Sequence, residues 1–456
     1  MKILSASFSL CLAMVLSLGC QARSTSDFSM EPSAAIALPT DEVENPFYCN
    51  DTPSSAFSCP LLQAQTAEDL AQIESLVASF TQQRGDQAGL PTRQDEYQSV
   101  PENASAISPT QLPDAYELYL RQIHRVDWWN SPQGTDSLTP NLRSSNYVRP
   151  RFLAYVVSGF VAAEEAGAGE REILLAIARS AADYLVESQQ TANQGLFPFP
   201  DLQAWGIPYA HSETFREIAT RLGKLDEVLV DGWYIGDLGE GGLQLDNGLA
   251  GVALLELYEA TGEEKYLTSA LQAADWAIET AIVPNWNYNS VSVHLLARAY
   301  GVTGDTRYLE SAKKKAKIGV LPGQLQTGVH KGFWADPHNA RLNYHYVLIR
   351  GIGALVAVMP PEDPSFPQVQ AALASAVEAG NQRVLENGVV YPELLLETLS
   401  ELALDFPPGS EKLDDLGRAQ ALDLIGRYAT EKVLGQGRPI SPSAWGLYLK
   451  ASAAEG

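Results

Sequence analysis

The feature that most constrains this chain is an internal repeat of two helical segments joined by a tight turn. The segment that starts at Leu257, Leu-Tyr-Glu-Ala-Thr-Gly-Glu-Glu-Lys-Tyr-Leu, returns 42 residues later at Ala299 as Ala-Tyr-Gly-Val-Thr-Gly-Asp-Thr-Arg-Tyr-Leu. An Ala-rich stretch with helical periodicity follows each copy. Repeats of this length are typical of stacked helical hairpins, which bury their apolar faces against neighbouring copies.

Weaker copies of the hairpin flank this pair, at residues 152–184, 344–379 and 393–433. The upstream copy repeats Ala-Ala-Asp-Tyr at 181–184 where the central copy has Ala-Ala-Asp-Trp at 273–276. No alternating strand pattern competes with the helical one. The sequence therefore predicts an all-α fold of four or five hairpins.

Such hairpins can stack as an open solenoid or close into a double ring of inner and outer helices. The connections between the hairpins are long, irregular and rich in aromatic residues, which a regular solenoid does not need. We therefore expect an α/α toroid of repeated helical hairpins, formed by residues 63–456.

The N-terminus has the pattern of a secretory signal peptide at residues 1–19: Met-Lys, then an uncharged apolar stretch from Ile3 to Leu18. The sequence Leu-Ser-Leu-Gly-Cys that ends at Cys20 resembles the bacterial lipobox, in which the cysteine receives a diacylglyceryl group. This resemblance implies lipidation at Cys20 and an exported, membrane-anchored lipoprotein that faces the periplasm or the cell surface. Ser17 stands where leucine is usual, so ordinary secretion is the alternative.

Residues 20–62 are rich in Ser, Pro, Ala and acidic residues without an apolar period, as expected of a tether. Two cysteines remain outside the signal region, Cys49 and Cys59. In an exported protein we expect them to form a disulfide, with two free thiols as the alternative.

The charge of the chain restricts its partners. Asp plus Glu number 55 against 31 Lys plus Arg, a formal net charge of -24, and such a chain repels phosphate backbones, so we expect no nucleic-acid partner. Beyond the N-terminus no apolar run of 20 residues occurs, so we expect membrane contact through the lipid anchor alone. The oligomeric state stays open.

In a closed ring of hairpins, the loops that enter the first helix of each unit gather at one rim. Here these loops interleave aromatic rings with Asn, Asp, His and Arg, which a sugar site needs for ring C–H faces and hydroxyl groups. Tyr391-Pro392-Glu393 occupies the same place in the last unit. The candidate substrate-binding residues are Trp233, Tyr234, Asn247, Trp286, Asn287, Tyr288, Trp334, Asp336, Arg341, Tyr344 and His345.

The segment Leu-Asp-Asn-Gly-Leu-Ala at 245–250, running into the repeat at 257–276, resembles the hairpins of the six-hairpin, (α/α)6 toroid carbohydrate enzymes. That superfamily includes unsaturated glucuronyl hydrolases, sugar epimerases and polysaccharide lyases. The resemblance covers roughly residues 150–430 and implies the toroid fold and a carbohydrate substrate, but its motifs select no reaction.

The first functional hypothesis is a glycoside hydrolase that uses paired carboxylates. Asp246 resembles the aspartate at an inner-helix N-terminus in the unsaturated uronyl hydrolases. Glu240 or Asp237 would be its partner, with His338 as an alternative acid/base. No cofactor is expected, because the cluster of His330, Asp336, His338 and His345 matches no standard metal motif.

Two other hypotheses stay open. A uronate lyase or sugar epimerase would use Tyr344 or His345 as the base, with Arg341 holding the carboxylate. A non-catalytic glycan-binding lipoprotein would keep the aromatic residues without converging carboxylates.

Each candidate residue also has a structural interpretation. Asp246 and Asn247 could cap a helix, Asp237 and Glu240 could be solvated loop charges, and the tryptophans could pack the rim. His211 and His294 are expected to be structural. The lysines at 313, 314, 315 and 317 are expected to form a solvated face of an outer helix.

Overall fold

The computed structural model describes residues 67–69, 71–73, 75, 94–116, 150–192, 195–197, 242–283, 285–328, 330–334 and 341–454. All belong to one compact unit, Glu44–Gly456. The signal peptide, the lipobox Cys20, and Cys49 and Cys59 of the tether lie outside the described residues.

The described residues are helical, with two isolated β-bridges, Gln98–Val389 and Gln324–Trp334, in place of strands. The α-helices are α1 Pro150–Glu165, α2 Arg171–Ala192, α3 Gly242–Thr261, α4 Glu264–Glu279, α5 Trp286–Thr303, α6 Thr306–Gly319, α7 Leu342–Val358, α8 Phe366–Asn387, α9 Pro392–Asp405, α10 Arg418–Thr430 and α11 Pro442–Ala454. None of the helices in this part of the chain is both long and apolar enough to cross a bilayer.

Within the described residues six helices form a closed inner ring. Helix α1 packs on α3, α3 on α5, α5 on α7, α7 on α9 and α9 on α11, and α11 returns to α1. Helices α2, α4, α6, α8 and α10 pack outside, each against the inner helix that precedes it. The closed ring confirms the all-α toroid and excludes the open solenoid.

The repeated sequence encodes the turn of the hairpin. The hydroxyl groups of Thr261 and Thr303 donate to carbonyl oxygens one helical turn back, at 2.6 and 2.7 Å. The glycine that follows each has a φ near +70°, a left-handed conformation that glycine adopts without strain. The Thr-Gly pair therefore ends both inner helices in the same way.

A second repeated contact joins the outer helices. The Tyr266 hydroxyl donates to Asp183 at 2.9 Å, and the equivalent Tyr308 donates to Asp275 at 3.1 Å. The tyrosine after each turn and the aspartate of the Ala-Ala-Asp motif thus form the same bond between successive outer helices. The most regular part of the sequence is a packing motif.

Glycines let the first and last inner helices come close enough to complete the ring. A Cβ atom at Gly446 of α11 would overlap the carbonyl oxygen of Gly159 in α1, and one at Gly159 would overlap that of Pro442. The N-terminal segment supports the same region. The Ile107 amide donates to the Tyr448 hydroxyl at 3.2 Å, and Tyr116 packs edge-on against Phe160.

The lysine-rich face of α6 is not uniformly solvated, so the sequence-based expectation is wrong for Lys315. This side chain is 3% exposed and donates to the Thr280 carbonyl at 2.8 Å. Burial lowers the pKa of Lys315 to about 8. Its neighbours Lys313 and Lys317 pair with Asp363 and Asp69. Periodicity could not identify the buried position, because Lys315 reaches a carbonyl of the preceding inter-hairpin loop.

Candidate functional site

Helix α3 begins earlier than the sequence predicts, and this changes the interpretation of Asp246 and Asn247. The helix starts at Gly242, so both residues lie inside it and cannot act as its N-cap. Tertiary contacts hold the polar residues of this first stretch. Gln244 donates to the Ala281 carbonyl and Asn247 to the Ala273 carbonyl, both at 3.0 Å. The helix-cap interpretation is therefore wrong.

Asp246 is held by Arg151 of the neighbouring inner helix α1. Its Oδ1 accepts from Arg151 Nε at 2.7 Å and from the Arg151 amide at 3.2 Å, and its Oδ2 accepts from Nη2 at 2.9 Å. The aspartate is fully buried and the arginine side chain is 17% exposed. Burial alone would lower the pKa of Arg151, but the Asp246 carboxylate raises it. Both aspartate oxygens accept hydrogen bonds from Arg151, so the carboxylate is held in place by a charged partner.

Glu393 is a second carboxyl group at the end of the ring where the inner helices begin. It is the second residue of α9 and is partly exposed, and its Oε1 accepts from the Ser441 amide at 3.0 Å. Burial, followed by the negative charge of Glu397, raises the pKa of Glu393 to about 7. A carboxyl group with this pKa exists in both protonation states near neutral pH, as an acid/base catalyst must.

The residue that introduces this helix has a strained backbone. Tyr391 has a φ of +47°, in the left-handed region that a non-glycine residue rarely adopts. Its hydroxyl accepts from Arg341 Nη1 at 2.9 Å and donates to Glu96 Oε2 at 2.8 Å. Such strain persists where surrounding contacts impose it, frequently at functional sites. The sequence predicts Tyr-Pro-Glu at the rim, but no sequence pattern predicts the raised pKa of Glu393.

Below Glu393, further acids on α9 recur at intervals of four residues and face cations in the ring. Arg350 bonds Glu397 at 3.2 Å and also Glu401. Arg298 bridges Glu401 at 2.6 Å and Asp405 at 2.9 Å. Burial alone would raise the pKa of Glu401, but Arg350, with His294 and Arg298, holds it well below its usual value.

A second carboxyl group with a raised pKa lies further from the rim. Glu256 is on α3, ten residues after Asp246 and so about 15 Å further along the helix. Burial raises the pKa of Glu256 to about 7, although a hydrogen bond from Ser158 opposes the shift. Glu256 and Glu393 therefore have similar acidity at different depths.

The predicted aromatic platforms on α5 and before α7 are buried. Trp286 is fully buried and packs against Gly323, and Trp334 donates its indole N–H to the Val320 carbonyl at 2.8 Å. Asn287 and Tyr288 are buried in the first turn of α5, where their amides bond the N-cap Asn285. This geometry favours rim packing for both tryptophans, and their sugar contacts stay predictions.

The residues of the lyase hypothesis point to different partners. His345 donates Nε2–H to the Ala376 carbonyl of the outer helix α8 at 2.9 Å and packs on Phe333. Burial lowers the pKa of His345 to about 4, so the ring is neutral. Arg341 bonds Tyr391 instead, and Tyr344 is partly exposed.

The remaining predicted site residues lie outside the described part of the chain, and their roles stay predictions: Trp233, Tyr234, Asp237, Glu240, Asp336 and His338. His294 is described. It is buried and bonds Glu401 at 2.8 Å. Burial lowers its pKa.

No family model matches this sequence, and no curated protein matches it. Among solved structures it is similar to a polysaccharide lyase, with a TM-score of 0.42 and 12% identity over 75% of this chain and 97% of the other. It is also similar to a glycosyl hydrolase family 88 protein from Bacteroides vulgatus, with a TM-score of 0.46 and 11% identity over 76% and 99%. These values say nothing about reaction or substrate.

Proposed function

We propose that this protein processes carbohydrate as a glycoside hydrolase, at the rim where the inner helices begin. The observation that carries the proposal is Glu393, a partly exposed carboxyl group at that rim whose pKa burial raises to about 7. Glycosidases need one protonated carboxyl group for the leaving oxygen and one ionised carboxylate. The rim loops of the sequence are rich in aromatic and amide residues, which is the composition that a sugar site needs.

In this mechanism Glu393 donates its proton to the glycosidic oxygen as the bond to the anomeric carbon breaks, and a water molecule that gives its proton to the ionised carboxylate forms the new bond to that carbon. Asp246 is the candidate for the ionised partner, because Arg151 fixes its carboxylate at the same end of the ring. In the order of the six inner helices, α3 stands opposite α9, so the two groups belong to opposite walls of the ring. Glu240, Asp237 and His338 stay candidates for the water-activating role.

The deciding experiment is product analysis on neutral and uronic oligosaccharides, with wild type, Glu393→Gln and Glu256→Gln. We expect hydrolysis by wild type, and a loss of kcat by about 10² to 10⁴ in Glu393→Gln, because the amide cannot donate a proton. Glu256→Gln is the matched control: it removes an acid of similar pKa from a deeper position, and it should retain activity.

Other outcomes would replace the proposal. New unsaturated ends, read by their absorbance, would indicate a lyase, and an inverted sugar stereocentre would indicate an epimerase. Full activity in Glu393→Gln would return the acid role to Asp246 or His338. Sugar binding without turnover in every variant would support a glycan-binding protein.

We also propose that the protein is exported and anchored by lipid on Cys20, with Cys49 and Cys59 in a disulfide. The lipobox-like sequence and the compartment it implies support this. Cys20→Ala should release the protein from membranes, and a thiol label should react with Cys49 and Cys59 only after reduction. Membrane retention of Cys20→Ala, or labelling of unreduced protein, would contradict the respective part.

A further inference from the structure

A groove of about 560 Å³ opens on the outside of the ring, between the ends of α2 and α4. Its lining has three side-chain amides, one of them from Gln189, two carboxylates and one indole, which are groups that bind the hydroxyl groups and C–H faces of sugars. The residues used below are Gln190, Gly195, Gln272, Asp275, Trp276 and Glu279. None of them belongs to the site proposed above.

One face of helix α4 forms most of the groove. Gln272, Asp275, Trp276 and Glu279 follow the spacing of one helical stripe, so their side chains project in the same direction. Trp276 is partly exposed, with Gln272 and Glu279 exposed on either side of it. An indole ring flanked by polar groups is an arrangement that receives a ligand with both C–H faces and hydroxyl groups.

Two features hold this surface in place. The Asp275 Oδ1 accepts from the Tyr308 hydroxyl at 3.1 Å, and Arg307 Nη1 lies 3.6 Å away. On the opposite wall, Gly195 has a φ of +73°, and a Cβ there would lie 3.1 Å from the Gln272 carbonyl oxygen. The backbone after α2 therefore comes close to α4.

The groove lies at the end of the ring where the inner helices begin. Helix α4 ends at Glu279 and α5 starts at Trp286 after a short connection, so the C-terminal end of α4 is level with the N-terminal end of α5. Helix α4 packs on α3, which stands opposite α9 in the ring, so the groove and Glu393 belong to opposite sides of the ring.

We infer that this groove is a second carbohydrate-binding site, and that its ligand is a neutral oligosaccharide. The indole of Trp276 would pack on the C–H face of one sugar, and the amides and carboxylates would bond its hydroxyl groups. Asp275 and Glu279 add negative charge to a chain whose net charge is already -24, and this disfavours uronates. The inference does not depend on catalysis by Glu393.

Affinity electrophoresis of the full chain in native gels tests the inference, with a β-glucan, a xylan and polygalacturonate as the probes. We expect at least one neutral polymer to retard the wild type, and Trp276→Ala to raise the apparent Kd about tenfold, because an aromatic contact surface is lost. Trp276→Phe should retain part of the affinity. Tyr184→Ala is the matched control, because Tyr184 holds the same place in the repeat on α2.

Equal retardation of Trp276→Ala and wild type in both neutral gels would overturn the inference. So would an effect of Trp276 confined to polygalacturonate. A double change of the exposed Gln272 and Glu279 to alanine keeps the test decisive if Trp276→Ala misfolds, and it should weaken binding several-fold. Turnover of a short chromogenic glycoside, measured in parallel, should be unchanged in these variants. Loss of turnover in Glu393→Gln is a separate result, since binding in the gel requires no hydrolysis.

Discussion

The two halves of helix α9 contain the same residue type in very different states. Glu393 lies at the rim and Glu401 lies eight residues further along the same helix, facing the interior. Burial raises the pKa of Glu393 to about 7, whereas Arg350, His294 and Arg298 hold Glu401 well below its usual pKa. Among the described residues, the hydrogen bond recorded for Glu393 comes from a neutral backbone amide. The contrast shows that the placement of cations, in addition to depth, sets the pKa of each acid on this helix.

The largest effect is expected from removal of Arg350, the cation that pairs with Glu397 and Glu401. Arg350→Met should lower the free energy of unfolding by about 3 to 5 kcal/mol, because it leaves two buried carboxylates without a shared partner. Urea unfolding at neutral pH measures the loss. Arg427→Ala, which breaks an exposed pair with Asp423, is the control and should cost less than about 1 kcal/mol. An equally small loss of unfolding free energy in both variants would contradict a stabilising role for the interior ion pairs.

The raised pKa of Glu393 predicts how stability depends on pH. The folded protein binds a proton at this group up to about pH 7, whereas a free glutamate releases it near 4.5. The free energy of unfolding should therefore fall as pH rises between these values. Glu393→Gln removes this dependence. Relative to wild type, the variant should gain about 1 to 3 kcal/mol between pH 5 and pH 8 in urea unfolding.

His345 changes the free energy of unfolding with pH in the direction opposite to that of Glu393. Its folded pKa of about 4 lies below the ordinary value of 6.5, so its contribution to stability is lost as pH falls through that interval. A pH-independent difference between Glu393→Gln and wild type would contradict the raised pKa of Glu393.

The smallest expected effect concerns the influence of Glu397 on the pKa of Glu393. The negative charge of Glu397 contributes to the raised pKa of Glu393. Glu397→Gln should therefore lower the pKa of Glu393 and move the basic limb of the kcat/KM profile to lower pH by up to about one unit. The measurement is a pH profile on the best substrate. A basic limb that stays in place would mean that another group controls it.

Local sequence was enough to predict the hairpins. The Thr-Gly turn needs a hydroxyl group, a glycine and a carbonyl within one helical turn, and all three lie within six residues of one another. The prediction failed where the partner is distant. The interpretation of Asp246 and Asn247 as helix caps is wrong because α3 begins before them. The polar residues at its start bond carbonyls of another helix and of a loop, as Gln244 does with Ala281.

Local sequence thus predicted the helical hairpins and their repeat, whereas the gathering of aromatic and polar loops at one rim stays a prediction. Only the closed ring shows that the tryptophans 286 and 334 are buried, that Asp246 is paired with Arg151, and that burial raises the pKa of Glu393. The reason is the distance along the sequence between the groups that interact. Turn formation depends on neighbouring residues, whereas burial and pKa depend on groups many residues away, as in the pair Arg350–Glu401, which only closure of the ring brings together.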